Sequence, residues 1–219
     1  EDGPTHHGAL DIPYLRCVQN MIVAAPKNGQ EFRHLLYTAL NQKKLPFSIR
    51  YPKASSVEFD SDGQAEFLPI GSWDVVRSGT DVVVLAVGPL VYDAEKAAQL
   101  LYEKGVSTEV VNCRFIKPMD ENYLNKSLAK YELVVTIEEG VTDGGFGEGV
   151  VNWSKKNNIG NSILTLLPKI STFELIGSSK RLIPLSCNLA AAYAKLDIKV
   201  DRISSSLTFT GTLPAKQQS

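Results

Sequence analysis

Residue types that move protons or hold anions crowd the start of the chain. Asp2, His6 and His7 lie in Asp-Gly-Pro-Thr-His-His-Gly (2–8), and Asp11, Tyr14 and Arg16 follow. Gly3, Pro4 and Gly8 make the stretch loop-like, and binding groups concentrate on loops held by a rigid scaffold. Histidine is the side chain best suited to exchange protons near neutral pH, and a nearby aspartate can orient it, so acid–base chemistry is one reading. A metal site is another, since imidazole suits zinc or iron, yet no third ligand stands at a familiar spacing. A surface turn with solvated histidines is the third, because His–Asp clusters mark sites only statistically.

Two further places carry charge in a suggestive pattern. Arg50 and Lys53 bracket Tyr51-Pro52 at the carboxyl end of a predicted strand. That edge of an open parallel sheet is where ligands lie, and two cations there suit a phosphate or carboxylate, or else they are a solvated pair ending the strand. Glu138 and Glu139 precede a glycine-rich stretch, Gly144 to Gly149. The stretch fails the dinucleotide fingerprint because Val150 stands where a glycine or alanine is needed, so its glycines are expected to let a helix pack closely on a strand. The glutamates read first as a strand end meeting solvent, and second as a carboxylate pair for acid–base work.

The elements that must position these residues alternate. An apolar run at 21–25, a helix and an alternating stretch at 47–51 make a β-α-β unit with parallel strands. Asn28 and Glu31 have capping-box spacing, and Phe32, Leu35, Leu36 and Ala39 share one helix face. Residues 56–70 are polar, aperiodic and read as a linker. Beyond them strands are predicted at 73–77, 82–87, 108–115, 133–137 and 163–167, with helices at 91–104, 120–130 and 148–157. Val82 to Val87 is apolar throughout, as expected of a strand covered on both faces. The pattern is α/β, an open and mostly parallel sheet between helix layers. Asn188 is placed to cap a helix at 189–195, and the tail from Ser204 is expected to be disordered.

Composition narrows the function classes. The formal charge is −1 with no like-charged block, which argues against nucleic acid, and no apolar run approaches the roughly 18 residues of a membrane span. Cys17, Cys113 and Cys187 are odd in number and far apart, which excludes a CxxC motif and points to a reducing, cytoplasmic compartment. The chain begins Glu-Asp-Gly without an initiator Met or a signal segment, so it is expected to start inside a longer polypeptide.

Asp-Gly-Pro-Thr-His-His-Gly (2–8), Tyr-Leu-Arg-Cys (14–17), Asn-Met-Ile-Val-Ala-Ala-Pro (20–26) and Arg-Tyr-Pro (50–52) resemble the 1-deoxy-D-xylulose-5-phosphate synthase family. That family is related to transketolase. Arg-Phe-Ile-Lys-Pro-Met-Asp (114–120), Thr-Ile-Glu-Glu-Gly (136–140) and Gly-Gly-Phe-Gly (144–147) are similar to its C-terminal domain, so the likeness spans residues 1–170. The resemblance implies that 1–55 end a pyrimidine-binding domain, that 56–70 link, and that 71–203 form a three-layer α/β/α transketolase C-terminal domain before a tail at 204–219.

The implied activity is a transferase reaction, the condensation of pyruvate with glyceraldehyde 3-phosphate to 1-deoxy-D-xylulose 5-phosphate and carbon dioxide. It opens the methylerythritol phosphate route to isoprenoids and feeds thiamine synthesis. The implied cofactors are thiamine diphosphate and Mg²⁺, bound mainly by an upstream part, so this piece alone is expected to be inactive and no metal ligand is assigned within it. The implied assembly is a homodimer. By the same likeness Asp2 and His6 reach the cofactor-bound intermediate, and Lys53 or Arg50 meets the acceptor phosphate. The family's Arg-Tyr-Pro-Arg-Gly is here Arg50-Tyr51-Pro52-Lys53-Ala54, so a mobile ammonium replaces a planar fork. Ile176 stands where the family carries a histidine. The alternatives are the β chain of a 2-oxoacid dehydrogenase and a non-catalytic dimerisation module.

Overall fold

The computed structural model describes residues 8–56 and 59–167. Asp2, His6, His7, Ile176, Cys187, the expected helix at 189–195 and the tail from Ser204 lie outside them.

The β-α-β unit forms as its pattern predicts. β1 (Ile22–Ala24) and β2 (Phe47–Ile49) pair in parallel, Ile22 opposite Phe47, across helix α2 (Gly29–Gln42). Asn28 caps α2 by accepting the Glu31 N–H at 2.9 Å. The buried face differs from the predicted one. Glu31, Leu35 and Thr38 point inward, whereas Leu36 and Leu40 are exposed. The rotation follows from polar partners that a hydrophobic period cannot register. The Thr38 hydroxyl accepts the Leu68 N–H (2.8 Å), and Glu31 faces polar side chains from a distant strand.

The expected linker is held along this helix. The Glu66 N–H donates to His34 Nδ1 at 2.8 Å, Arg33 donates to Ser61 O at 3.2 Å, and its guanidinium lies over the Phe59 ring, 4.5 Å from the centroid.

A five-stranded sheet follows, in the order β3 (Asp74–Arg77), β5 (Thr108–Asn112), β4 (Val82–Ala86), β7 (Leu133–Ile137), β8 (Ser162–Leu166). All neighbours pair in parallel except the edge strand β3, which runs antiparallel to β5. Successive side chains of β4 serve opposite layers. Val82, Val84 and Ala86 pack under α3 (Leu90–Tyr102) against Ala94, Ala97, Ala98 and Leu101. Val83 and Leu85 join Leu124 of α4 (Glu121–Ser127), and Phe146, Val150 and Trp153 of α5 (Phe146–Lys156). The domain is therefore three-layered, α/β/α.

The predicted strand at 108–115 is two strands. After β5 the chain crosses at Cys113 and Arg114 into β6 (Phe115–Lys117), which pairs antiparallel with β1 and gives the first sheet the order β2-β1-β6. The Cys113 N–H still donates to Ala86 O (2.8 Å), while Arg114 O accepts from Ala25 N (2.9 Å), so adjacent residues serve different sheets. The helix expected at 120–130 ends as α4 at Ser127 and closes in a 3-10 turn, Leu128–Lys130. The two sheets share one core, since Ile12, Val23 and Ala25 pack in the same cluster as Val83, Leu85 and Phe146. No helix of the described residues is long and apolar enough to cross a membrane.

Candidate functional site

Two parallel strands from different sheets end at one place. β2 stops at Ile49 and β7 at Ile137, so Arg50 and the pair Glu138-Glu139 are the first residues beyond their carboxyl ends. Arg50 donates from its guanidinium to Glu139 Oε2 at 3.3 Å, and its Nε lies 3.9 Å from Asp11 Oδ2. Asp11 opens the short helix α1 (Asp11–Cys17), three residues after Gly8, the last residue of the 2–8 motif in sequence. The Arg50 side chain is 15% exposed and that of Glu139 40%, so the pair sits at a rim. Lys53 stands three residues on and is exposed. The cleft edge beyond these strand ends is where ligands of open α/β sheets gather.

Glu138 and Glu139, adjacent in sequence, have opposite surroundings. Glu138 is fully buried and does not meet solvent as expected, because it is the cap of α5. Its carboxylate accepts the N–H groups of Phe146 (2.7 Å) and Gly147 (2.8 Å). Burial raises its pKa above the ordinary carboxylate value, against those two hydrogen bonds and the charges of Arg16 and Arg50, which lower it. The positive end of α5 is thus met by the protein's own carboxylate, which agrees with the failed dinucleotide fingerprint. The glycines do bring helix and strand together: a Cβ on Gly147 would run into Thr136 and Thr165.

Arg16 approaches the same turn from the other side. One guanidinium nitrogen donates to both Gly144 O and Gly145 O. At the far end of α1, Lys117 Nζ donates to Arg16 O (2.9 Å) and Val18 O (2.7 Å), a cation where a helix exposes carbonyls.

A second junction lies deeper. Glu31, 6% exposed, accepts the Lys27 N–H through Oε2 (2.7 Å) and the Asn112 amide through Oε1 (2.7 Å), with Arg114 NH1 at 3.8 Å. Arg114 also donates to Ser72 O and Ser72 Oγ, both at 2.9 Å. Desolvation raises the Glu31 pKa, offset in part by the Lys27 N–H, Arg114, the Lys27 charge and Asn112. The capping-box spacing placed Glu31 at the start of α2 and carried no sign of its partners Asn112 and Arg114. The available signal was a carboxylate on the same helix face as Leu35, with Asn112 and Arg114 interrupting an apolar strand.

Of the residues singled out from sequence, the structure brings Arg50 together with Asp11 and Glu139 and sets Lys53 just beyond; Asp2 and His6 fall outside the described residues. Among the described residues no three His, Cys, Asp or Glu side chains come together as a metal site. Cys17 is exposed and Cys113 buried, both unpaired.

Comparison with known proteins places these features. Residues 1–57 match the family "Transketolase, pyrimidine binding domain" and residues 71–169 match "Transketolase, C-terminal domain". A 1-deoxy-D-xylulose-5-phosphate synthase of Aquifex aeolicus is 44% identical over 166 residues, 76% of this chain and 26% of the relative. One of Bacillus mycoides is 36% identical over 217 residues, 99% of this chain and 32% of the relative. The chain thus spans about a quarter to a third of the length of the curated relatives it matches. Among solved structures, "Split gene transketolase, inactive beta4 tetramer" superposes with a TM-score of 0.73 at 26% identity, over 87% of this chain and 62% of that one. A Pichia stipitis transketolase shares the fold, with a TM-score of 0.62 at 18% identity, over 91% of this chain and 29% of the other. With both family signatures in order along one chain, and their strand ends meeting at Arg50 and Glu139, the chain belongs to the transketolase family.

Proposed function

We propose that this chain is the acceptor-binding and proton-handling part of a thiamine-diphosphate enzyme that condenses pyruvate with glyceraldehyde 3-phosphate. The observation that carries the reading is the meeting of the β2 and β7 ends at Arg50 and Glu139, beside the helix that follows the 2–8 motif in sequence. Relatives at 36% to 44% identity that are named 1-deoxy-D-xylulose-5-phosphate synthase support the choice of reaction. When bound, thiamine diphosphate supplies the carbon–carbon chemistry, and the protein supplies orientation and proton transfer.

In this reading Asp2 orients the donor and His6 exchanges a proton with the reacting groups. Lys53, exposed just beyond the β2 end and beside Arg50, meets the acceptor phosphate as a point charge. Residues 1–55 end the pyrimidine-binding domain and 71–203 form the C-terminal domain. The Mg²⁺-diphosphate site belongs to another part of the protein, and the chain alone does not turn over. Assembly is a homodimer, for which Leu36, Tyr37 and Leu40 on α2 offer exposed apolar area.

Steady-state kinetics test the assignment, with the diphosphate-binding part supplied alongside this chain. His6→Ala should lower kcat by about 10² to 10⁴-fold, as for a positioned acid or base, and His7→Ala far less. Lys53→Met should raise the KM for glyceraldehyde 3-phosphate about 10- to 100-fold, as for a lost charged hydrogen bond, and leave that for pyruvate unmoved. An unchanged acceptor KM transfers the role to Arg50.

A further inference from the structure

We propose that His34 is a pH-sensitive latch on residues 59–68: as a neutral imidazole it holds this segment against α2, and on taking up a second proton it lets the middle of the segment go.

The latch depends on which ring nitrogen carries hydrogen. The Glu66 N–H donates to His34 Nδ1 at 2.8 Å, and Gln30 Nε2 stands 3.3 Å from His34 Nε2. A neutral imidazole has one acceptor nitrogen and one N–H. A backbone N–H can only donate, so Nδ1 is the acceptor and Nε2 carries the hydrogen. Nε2–H then needs an acceptor, and Gln30 has one to give, since its buried Oε1 has no hydrogen-bond partner. A half-turn of that amide, whose two ends have the same shape, presents Oε1 to the ring. An imidazolium can still donate there. Its Nδ1–H, however, would face the Glu66 N–H, donor against donor.

On either side of Glu66 the segment is held by contacts that the imidazole proton does not alter. The Thr38 hydroxyl accepts the Leu68 N–H and donates to His34 O, both at 2.8 Å. Leu68 packs on the cluster of Ile22, Ala24, Leu35 and Phe115. Toward the other end Arg33 donates to Ser61 O and Gly63 O, with its guanidinium over Phe59. Glu66 itself is exposed, so the bond to His34 is what ties it down.

The charges nearby favour a proton on the ring. On α2 the charged neighbours are Arg33, spent on the segment's carbonyls, and Glu31, turned inward to Asn112. The segment brings Asp60, Asp62 and Glu66, and the cluster behind it is apolar, with Phe47 and Ile49 packed against it. Three carboxylates stabilise a cation, while the closed geometry rejects one at Nδ1. The proton therefore binds better once Glu66 has let go. By linkage, acid moves the population toward the open segment, over the pH 5 to 8 range in which histidine changes charge.

NMR on the ¹⁵N-labelled chain tests this. At pH 8 the His34 ring nitrogens should show the Nε2–H pattern, and the Glu66 amide should be protected from exchange. At pH 5 its protection, corrected for the unstructured rate, should fall about five- to tenfold, the worth of one hydrogen bond, with Leu68 unchanged. His34→Asn supplies an acceptor oxygen as many bonds from the backbone as Nδ1, and one that does not titrate, so Glu66 should stay protected at both pH values. In His34→Phe it should be open at both. Glu31→Gln should keep the wild-type response, which separates the latch from the buried carboxylate that also takes up a proton in acid.

An Nδ1–H pattern at pH 8, equal Glu66 protection at the two pH values, or an acid response that persists in His34→Asn each overturns the proposal. So does a parallel loss at Leu68, which would mean that the whole segment melts. If His34→Asn does not fold, the wild-type comparison of Glu66 with Leu68 decides.

Discussion

The parts of the molecule around α2 and α5 are joined by two junctions that use the same chemistry in opposite settings. At Glu31, Asn112 and Arg114 a carboxylate is almost fully enclosed and accepts hydrogen bonds from two donors, with a guanidinium close by. At Arg50 and Glu139 a guanidinium and a carboxylate meet at a rim, with Asp11 at 3.9 Å. Water decides what each is worth. Where it is excluded, a charge is expensive and every partner becomes obligatory, which holds the chain between β5 and β6 against α2. Where it reaches the carboxylate, as at the 40% exposed Glu139, solvent screens the pair and weakens it.

Breaking the enclosed junction should give the largest effect. Glu31→Ala leaves the Asn112 amide and the Lys27 N–H without their acceptor and Arg114 without its charge partner, and should cost about 3 kcal/mol, read from the urea midpoint at constant m-value. A loss under about 1 kcal/mol would mean that water reaches this site.

Glu31→Gln sharpens the comparison. Glutamine keeps the shape, and its NH₂ can donate to Asn112 Oδ1, which lacks a partner. The net change should stay within about 1 kcal/mol. Its signature is in pH. The folded Glu31 pKa lies above the ordinary 4.5, so between that value and the folded one the native chain holds a proton that the unfolded chain has released. Stability therefore rises as pH falls through this window, and above it the ionised carboxylate is a net cost. Glu31→Gln should remove that part of the slope in urea titrations at stepped pH, and Glu138, raised in the same direction, should retain its own.

The smallest effect belongs to the rim. A double-mutant cycle on Arg50→Gln and Glu139→Gln should give a coupling below about 1 kcal/mol that fades at high salt, where the screening length is about 3 Å near 1 M. A larger, salt-insensitive coupling would make the rim a second enclosed junction and remove the contrast.

How much of this could be read in advance varies with the kind of residue. The α/β alternation, the Asn28 cap, the apolar β4 and the small-residue stripe Ala94, Ala97, Ala98 and Leu101 were legible because each depends on near neighbours in the chain. The break after Asn112 was not, because Phe115 and Ile116 are as apolar as Val110 and Val111, and only Ala25, distant in sequence, draws Arg114 into the other sheet. The site was half legible. Arg50 and Lys53 at a strand end followed from composition and the predicted strand, whereas the engagement of Arg50 by Asp11 and Glu139 required two sheets to end together.

Sequence alone determined the family, the order of the elements and the residue types at the cleft edge, because motifs and hydrophobic periods are written in consecutive residues. Tertiary structure alone decided which of two neighbouring glutamates is a buried helix cap and which a rim ligand for arginine. It also decided that Glu31 faces inward and that Arg16 reaches the turn before α5. Those outcomes depend on where water is excluded, and exclusion is set by elements far apart in the chain closing over the same few atoms.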